Sequence, residues 1–273
     1  EQLLESGKAK VISSVVGNRP NGFFNEENSR TLGFANGTQL GFALIKNGTA
    51  DQVRDGVNKE IIFSTANNFV TNLTSDAFDL AVEGLNVKVE AVNNARALGT
   101  GLQTGAEGEL VDLRELTGKV EATFSLYREA AFNNQVYFYK VDNADGLLGG
   151  LNPDTASSGD YLNAALNNLV KGADGNAVKL EVANQGLSTI KATVDAGSII
   201  APLMVVNGTI EQLQDSNPNN NPAVFFPFIG ANTGKFDQIR LLGDNSFGFE
   251  DIVGGGDLDY NDVIVKINLQ PVV

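Results

Sequence analysis

The stretch FGFEDIVGGGDLDYNDVIVKINL, residues 247–269, joins an acidic, glycine-rich loop to a segment with the alternation of a β-strand. An extended chain places Phe247 and Phe249 on one face, and residues 262–269 alternate between apolar and polar side chains. Carboxylates recur within residues 250–262, and three consecutive glycines offer no packing in return. Like charges this close repel one another, so the stretch predicts a β-sheet protein whose acidic loop folds around a ligand.

Similar alternations recur along the chain, separated by turn residues such as the Asn-Gly pairs at Asn36, Asn47 and Asn207. Helical periodicity is sparse by comparison. The sequence therefore predicts an all-β fold, a β-sandwich or jelly-roll-like architecture with one or two short helices. The predicted strands cover residues 8–16, 39–45, 59–64, 86–92, 119–127, 135–141, 177–182, 189–195, 199–206, 223–229, 238–242 and 262–269.

The clearest helical pattern covers residues 159–172. Asp160 is the candidate N-terminal cap and Gly172 the candidate stop. Weaker helical candidates cover residues 49–56 and 209–216. In the pattern at residues 159–172, spacings of three and four residues place one apolar stripe on the helix, formed by Leu162, Ala165, Leu166 and Leu169.

The length of 273 residues suits either one large β domain or two domains. The acidic loops and the clearest helix all follow residue 133. We therefore predict a β-rich N-terminal region of unknown family, residues 1–132, and an acidic-loop β-sandwich domain, residues 133–273. Packing of both regions as one unit remains an alternative.

Composition excludes several functional classes. Lys and Arg total 19 against 33 Asp and Glu, a formal charge of −14, which argues against nucleic acid or an anionic membrane as partner. The absence of Cys and His removes thiol nucleophiles, histidine-based triads and zinc sites built on these residues. No apolar run reaches the ~18 residues of a membrane span, so no membrane insertion is expected. No signal peptide is recognisable, and a start at Glu1 is compatible with its prior removal.

The acidic loop has the chemistry of a Ca²⁺ site. Hard cations take six to eight oxygen ligands, and the alternation Asp257, Asp259, Asn261 imitates the start of an EF-hand loop. The sixth position is Asp262 rather than glycine, and a strand follows rather than a helix, so the loop is not an EF-hand. Further ligands must come from across the glycines, which permit positive φ and close backbone approach. The candidates there are Glu250 and Asp251.

A second acidic turn, KVDNADGLLGG at residues 140–150, supplies Asp142 and Asp145 as further candidate metal ligands. Asp154 and Asp160 flank the next segment and could complete such a site. An Asp-Gly turn without any ion explains the same residues, because Asp-Gly is a common turn sequence. A solvated loop without an ion is likewise the alternative for residues 247–262.

Two other uses of the acidic loop stay open. Tyr260 is the candidate exposed aromatic of a sugar-binding site, although core packing is the usual role of the neighbouring phenylalanines. Glu250 with Asp257 is a candidate acid/base pair of a glycosidase, but crowding by so many carboxylates suits a cation better.

The signature FGFEDIVGGGDLDYNDVIVKI resembles bacterial domain-of-unknown-function family 4114. Supporting similarity starts at Val136 (VYFYKVDNADG), Gly159 (GDYLNAAL), Ser198 (SIIAPLMVVNGT) and Val224 (VFFPFIGANTGKFDQIRLLGDN). The resemblance covers residues 133–269 and implies an all-β, jelly-roll-like module with an acidic Ca²⁺ site, in secreted or cell-surface proteins. The family often has Arg where this chain has Leu258, which implies that a local ion pair is missing.

These observations predict a non-enzymatic, calcium-stabilised extracellular structural or adhesion protein of a bacterial cell surface or matrix. Its partner would be itself, in filaments formed by strand pairing, or a surface polysaccharide. The alternative is a calcium-dependent carbohydrate-binding module. The predicted Ca²⁺ ligands are Glu250, Asp251, Asp257, Asp259, Asn261, Asp262, Asp142 and Asp145.

Overall fold

The computed structural model describes residues 2–6, 8–14, 29–35, 37–54, 56–57, 60–65, 70–73, 77–105 and 108–272. The chain forms two compact units. The first comprises Glu1–Lys10 and Thr31–Arg96, and the second comprises Val11–Arg30 and Ala97–Val273.

The first unit contains a two-stranded sheet and a three-stranded antiparallel meander. The meander's second hairpin turns at Glu83 and Gly84, both with positive φ, as tight hairpins require. The elements of this unit are α1 (Gln2–Glu5), β1 (Ala43–Ile45), α2 (Ala50–Arg54), β2 (Ile61–Phe63), β3 (Val70–Leu73), β4 (Ala77–Val82) and β5 (Leu85–Glu90).

The described residues of the second unit form two antiparallel sheets and two short α-helices. Its strands are β6 (Val111–Asp112), β7 (Lys119–Arg128), β8 (Gln135–Val141), β9 (Leu187–Asp195), β10 (Ile199–Val205), β11 (Val224–Phe225), β12 (Ile239–Gly243), β13 (Ser246–Phe249) and β14 (Val263–Pro271). Its helices are α3 (Ser158–Asn167) and α4 (Ile210–Gln214), with 3-10 turns at Thr100–Leu102, Pro218–Asn220, Ile229–Ala231 and Thr233–Lys235.

The larger sheet has the order β12-β13-β14-β7-β9, and in the smaller sheet β10 pairs with β6, β8 and β11. One apolar core takes buried side chains from both sheets, as in a β-sandwich. The ring of Phe138 from the smaller sheet lies 5.7 Å from that of Phe124 and 6.1 Å from that of Phe247, both from the larger sheet. The all-β sandwich prediction is confirmed.

The smaller sheet is buried on its second face as well. Alternate residues of β8 and β10, such as Tyr139 and Leu203, pack there with Tyr161 of α3 and with Phe226. Burial on both faces explains why β10 is a continuous apolar run rather than an alternation.

Helix α3 differs from its prediction at both ends. Ser157, not Asp160, caps it, because the Ser157 Oγ accepts the Asp160 N–H at 3.1 Å. The helix ends at Asn167, before the predicted Gly172. The predicted helices 49–56 and 209–216 correspond to α2 and α4.

Several strand predictions need correction. Residues 177–182 make only isolated bridges to Lys171 and Val136, and residues 223–229 yield only the short β11. Residues 8–14 contain no strand, while residues 15–16 and Asn36 lie outside the described residues. The sequence did not predict β3, β4, β6 or β13, which are short or carry polar residues.

The division at residue 132 stays a prediction. Strand β7, which lies before it, pairs along its length with β14 near the C-terminus, from Arg128 opposite Val263 to Val120 opposite Pro271. Strands from both sides of residue 132 therefore share one sheet. No helix in the described part of the chain is long and apolar enough to cross a membrane.

Phe247→Ala should destabilise the second unit by about 3–5 kcal/mol, because it leaves a cavity at a fully buried core position. Urea unfolding followed by tyrosine fluorescence measures this selectively, since all five tyrosines lie in that unit and the chain has no Trp. The control is Leu187→Ala, whose side chain is 49% exposed and whose loss should cost about 0.5 kcal/mol or less. Equal effects of the two substitutions would contradict the placement of this core.

Candidate metal centre

The acidic loop closes the hairpin between β13 and β14. Phe249 pairs with Val263, so the residues that follow and precede them, Glu250 and Asp262, start and end the loop close together. The Asp251 N–H donates to the Asp262 Oδ2 at 2.7 Å and fixes this closure. The strand register alone therefore brings acidic residues from both ends of the loop to one place.

The glycines turn the loop back onto Glu250. Gly254, Gly255 and Gly256 have φ values of 88°, 90° and 51°, in the left-handed region that favours glycine. A Cβ on Gly255 would lie 2.3 Å from the Phe236 ring, and one on Gly256 would lie 3.1 Å from the Glu250 Oε2. The close approach predicted for this glycine run is confirmed.

Three carboxylates converge as a result. One oxygen each from Glu250, Asp257 and Asp259 lies within 4.8 Å of the other two. Glu250 is buried, Asp259 is half-buried and Asp257 is exposed, so the group reaches from the protein interior to the solvent. No ion pair of the described residues includes any of these three carboxylates.

The other predicted ligands of the loop surround this group. The Asn261 backbone N–H donates to the Asp259 Oδ1 at 3.2 Å, and its side-chain Nδ2 donates to the Asp259 Oδ2 at 2.6 Å. Asn261 therefore orients Asp259 through its nitrogen atoms. Asp251 is buried, and its Oδ2 accepts the Asn134 Nδ2 at 2.7 Å.

Burial makes the ionised state of these carboxylates costly. It raises the pKa of Glu250 to about 8, against the opposing effect of the Tyr260 N–H, which donates to the Glu250 Oε1 at 2.7 Å. Repulsion by the neighbouring carboxylates is a smaller contribution to this raised pKa of Glu250. Burial also raises the pKa of Asp251, Asp259 and Asp262. The loop thus concentrates desolvated negative charge that a cation would stabilise.

The second acidic turn has a different arrangement. Both carboxylates are exposed; the Asp142 Oδ2 accepts the Gly149 N–H at 2.6 Å, while the Asn143 Oδ1 accepts the Asp145 N–H at 3.1 Å. Within the described residues, Asp142 and Asp145 join no group of three converging carboxylates. Their hydrogen bonds are those of a polar turn.

The interpretation of Tyr260 as an exposed aromatic is wrong. The side chain is fully buried, its hydroxyl donates to the Asp237 carbonyl at 2.7 Å, and the Arg240 guanidinium lies 3.8 Å above the ring. Phe247 and Phe249, which were expected to pack in the core, are buried, and so are Phe225, Phe226 and Phe228.

Sequence reasoning missed two residues that support the loop. The Gln238 Nε2 donates to the carbonyls of Glu250, at 3.0 Å, and Ile252, at 2.9 Å. Asn134 lies 117 residues from its partner Asp251. Single amides in unremarkable segments give no local signal, so only the fold reveals them.

Without metal, the free energy of unfolding should rise as pH falls from about 8.5 to about 6. The folded-state pKa of Glu250 is raised, so the folded protein takes up the proton first and gains stability relative to the unfolded chain. Glu250→Gln should flatten this dependence while keeping an oxygen for the Tyr260 N–H. The measurement is urea unfolding in chelator across this pH range, and superimposable profiles for the two proteins would contradict the assignment.

The comparisons with known proteins agree with the location of this loop. Residues 194–270 match the profile of one family, described as Domain of unknown function (DUF4114). No curated protein and no solved structure matches the chain. The similarity noted over residues 133–193 lies outside the matched range and stays a prediction. The C-terminal segment that carries β10 to β14 and the acidic loop matches the model of family DUF4114.

Proposed function

We propose that this chain is a non-enzymatic, calcium-stabilised structural or adhesion protein of a bacterial cell surface or matrix. The observation that carries the proposal is the convergence of oxygens from Glu250, Asp257 and Asp259 within 4.8 Å of one another. The proposed ion would be held by these three residues at the open side of the β13–β14 loop.

The spacing fits Ca²⁺. Calcium–oxygen distances are about 2.3–2.6 Å, so two oxygens that share one ion are at most about 5 Å apart. Glu250 has its Oε2 directed towards Gly256, while its Oε1 accepts the Tyr260 N–H. The remaining ligands of a six- to eight-coordinate ion would come from Asp262, the loop carbonyls and water.

The chemistry of the donors also favours a hard cation. The chain has neither His nor Cys, the ligands that zinc and copper prefer. A bound divalent cation would supply the positive charge that the described residues do not provide to this group, and would thereby favour the ionised carboxylates. The same charge would displace the proton that burial favours on Glu250.

Binding at this position would support a structural role. The loop ends are anchored in the core by β13 and β14, and the loop backbone is held by Gln238. Crosslinking the loop tip to Glu250 would therefore stiffen the end of the larger sheet. Calcium sites in extracellular modules have dissociation constants of about 10⁻⁴–10⁻³ M, which suit a secreted setting.

The proposed partners are further copies of the chain or a surface polysaccharide. The net charge of −14 is compatible with calcium-dependent contacts between acidic surfaces. The larger sheet ends in β9 on one side, and sheet edges offer backbone groups for pairing with another chain.

Calcium at about 100 times its dissociation constant should raise the melting temperature of the second unit by roughly 5–10 °C over chelated protein. The ion binds only the folded state and adds about 2.7 kcal/mol at this excess. Thermal unfolding followed by tyrosine fluorescence gives the value. Coincident curves with calcium and with chelator would refute the calcium proposal, and Mg²⁺ at equal concentration tests its selectivity.

Asp257→Asn and Asp259→Asn should each remove most of this calcium-dependent shift, because each deletes one charged ligand. The matched control is Asp215→Asn, an exposed residue whose Oδ1 accepts the Asn217 N–H and which should keep the full shift. Asp142→Asn separates the two acidic turns and should also keep the shift. Loss of the shift in Asp142→Asn or in the control would place the ion elsewhere.

A further inference from the structure

Part of the N-terminal segment belongs to the sandwich unit although its flanking residues do not. Residues 11–30 cluster with the sandwich, whereas residues 1–10 and 31–96 form the other compact unit. We call the described part of this segment, residues 11–14 with Ser29 and Arg30, the strap. The chain thus contributes the strap to the sandwich from outside its main sequence, residues 97–273.

The strap sits on the outer edge of β12, which is the end strand of the larger sheet. The Ser14 N–H donates to the Leu241 carbonyl at 3.0 Å, and the Ser13 Oγ donates to the Leu242 carbonyl at 2.6 Å. At the end of the same strand, the Asp244 N–H donates to the Ser29 carbonyl at 3.0 Å. Backbone groups that would otherwise form a bare sheet edge are therefore paired.

An ion pair locks the strap in place. The Arg30 Nε lies 3.0 Å from the Asp244 Oδ1, and these side chains are only 3% and 14% exposed. The Arg30 Nη2 also donates to the Gln103 carbonyl at 3.0 Å. Removing the strap would take the Arg30 guanidinium away from the Asp244 carboxylate. Leaving one charge of a buried ion pair without its partner is strongly unfavourable.

These contacts stabilise the edge of β12 whenever a strap is bound there, and they would form equally well with the strap of another copy of the chain. No strand of the sandwich has to break for the strap to leave, because both its ends continue into the other unit. An identical strap from a second copy would restore every contact, which is the basis of domain swapping. An edge left bare is also a template for pairing with another chain.

We propose that the outer edge of β12 with Asp244 is the self-association site of this protein, and that it accepts the strap of a second copy. This inference rests on the self-assembly part of the proposed function and names its contact surface. Reciprocal exchange gives a closed dimer, and exchange in one direction gives an open chain of copies.

A charge swap tests the exchange in full-length protein. Arg30→Glu alone places two carboxylates against one another, and Asp244→Arg alone places two guanidinium groups against one another. In neither variant can the strap bind the edge of its own chain. In a mixture, the Arg30→Glu strap meets the Asp244→Arg edge, and the unaltered strap meets the unaltered edge, so both pairings are complementary. The double variant Arg30→Glu/Asp244→Arg restores the pair within one chain and is the matched control.

With one variant labelled with nitrogen-15, native mass spectrometry should detect mixed dimers of twice the single-chain mass. We expect these in at least tenfold excess over dimers of either variant, while the double variant behaves as the unaltered protein. An absence of mixed dimers, or as many unmixed as mixed dimers, overturns the proposal.

Circular dichroism checks the folding of each variant. If a single variant does not fold, labelled and unlabelled unaltered chains are concentrated together, and mixed dimers are again expected while their absence overturns the proposal. The strap uses no carboxylate of the acidic loop. Failure here therefore leaves the calcium-dependent melting shift intact, and loss of that shift leaves the exchange intact.

Discussion

The pairing of Phe249 with Val263 is the constraint on which the acidic loop depends. Carboxylates free to move would separate, because bringing them together costs electrostatic free energy in a desolvated site. They cannot separate here, since both loop ends continue into strands whose Phe247 and Val265 side chains are fully buried. Apolar packing in the sandwich therefore offsets the repulsion among the carboxylates that the loop holds close to Glu250.

Two features of the acidic loop could be predicted from the sequence, namely the start of the following strand and the glycine turn. Strand β14 begins within one residue of its prediction, because alternation from Asp262 onwards directly reflects one buried face. The glycines between the acids implied a turn of positive φ, which they form. Both signals are local, and periodicity and glycine conformations are properties that a single sequence records.

The missed features depend on contacts between distant segments. Tyr260 lies among acidic residues, and its neighbours gave no sign of burial. In the fold its backbone has a φ of 56°, its side chain is buried, and the Arg240 guanidinium lies over its ring. Asn134 likewise reaches Asp251 only because β8 starts beside the end of β13 in space. The prediction of Asp160 as the cap of α3 failed for a smaller reason, since Ser157 three residues earlier has equally suitable chemistry.

Leu258 lies within the acidic loop but adds no positive charge to it. It stands between Asp257 and Asp259, has a φ of 63° and is half exposed. An arginine there could neutralise an adjacent carboxylate internally and compete with a metal ion. A leucine cannot, and Arg128, the buried cation whose charge favours ionised Asp251, donates to Phe132 and Asn133 instead of the converging carboxylates. Neither Leu258 nor Arg128 therefore supplies a counter-charge to the converging carboxylates, while the fold keeps these acids together.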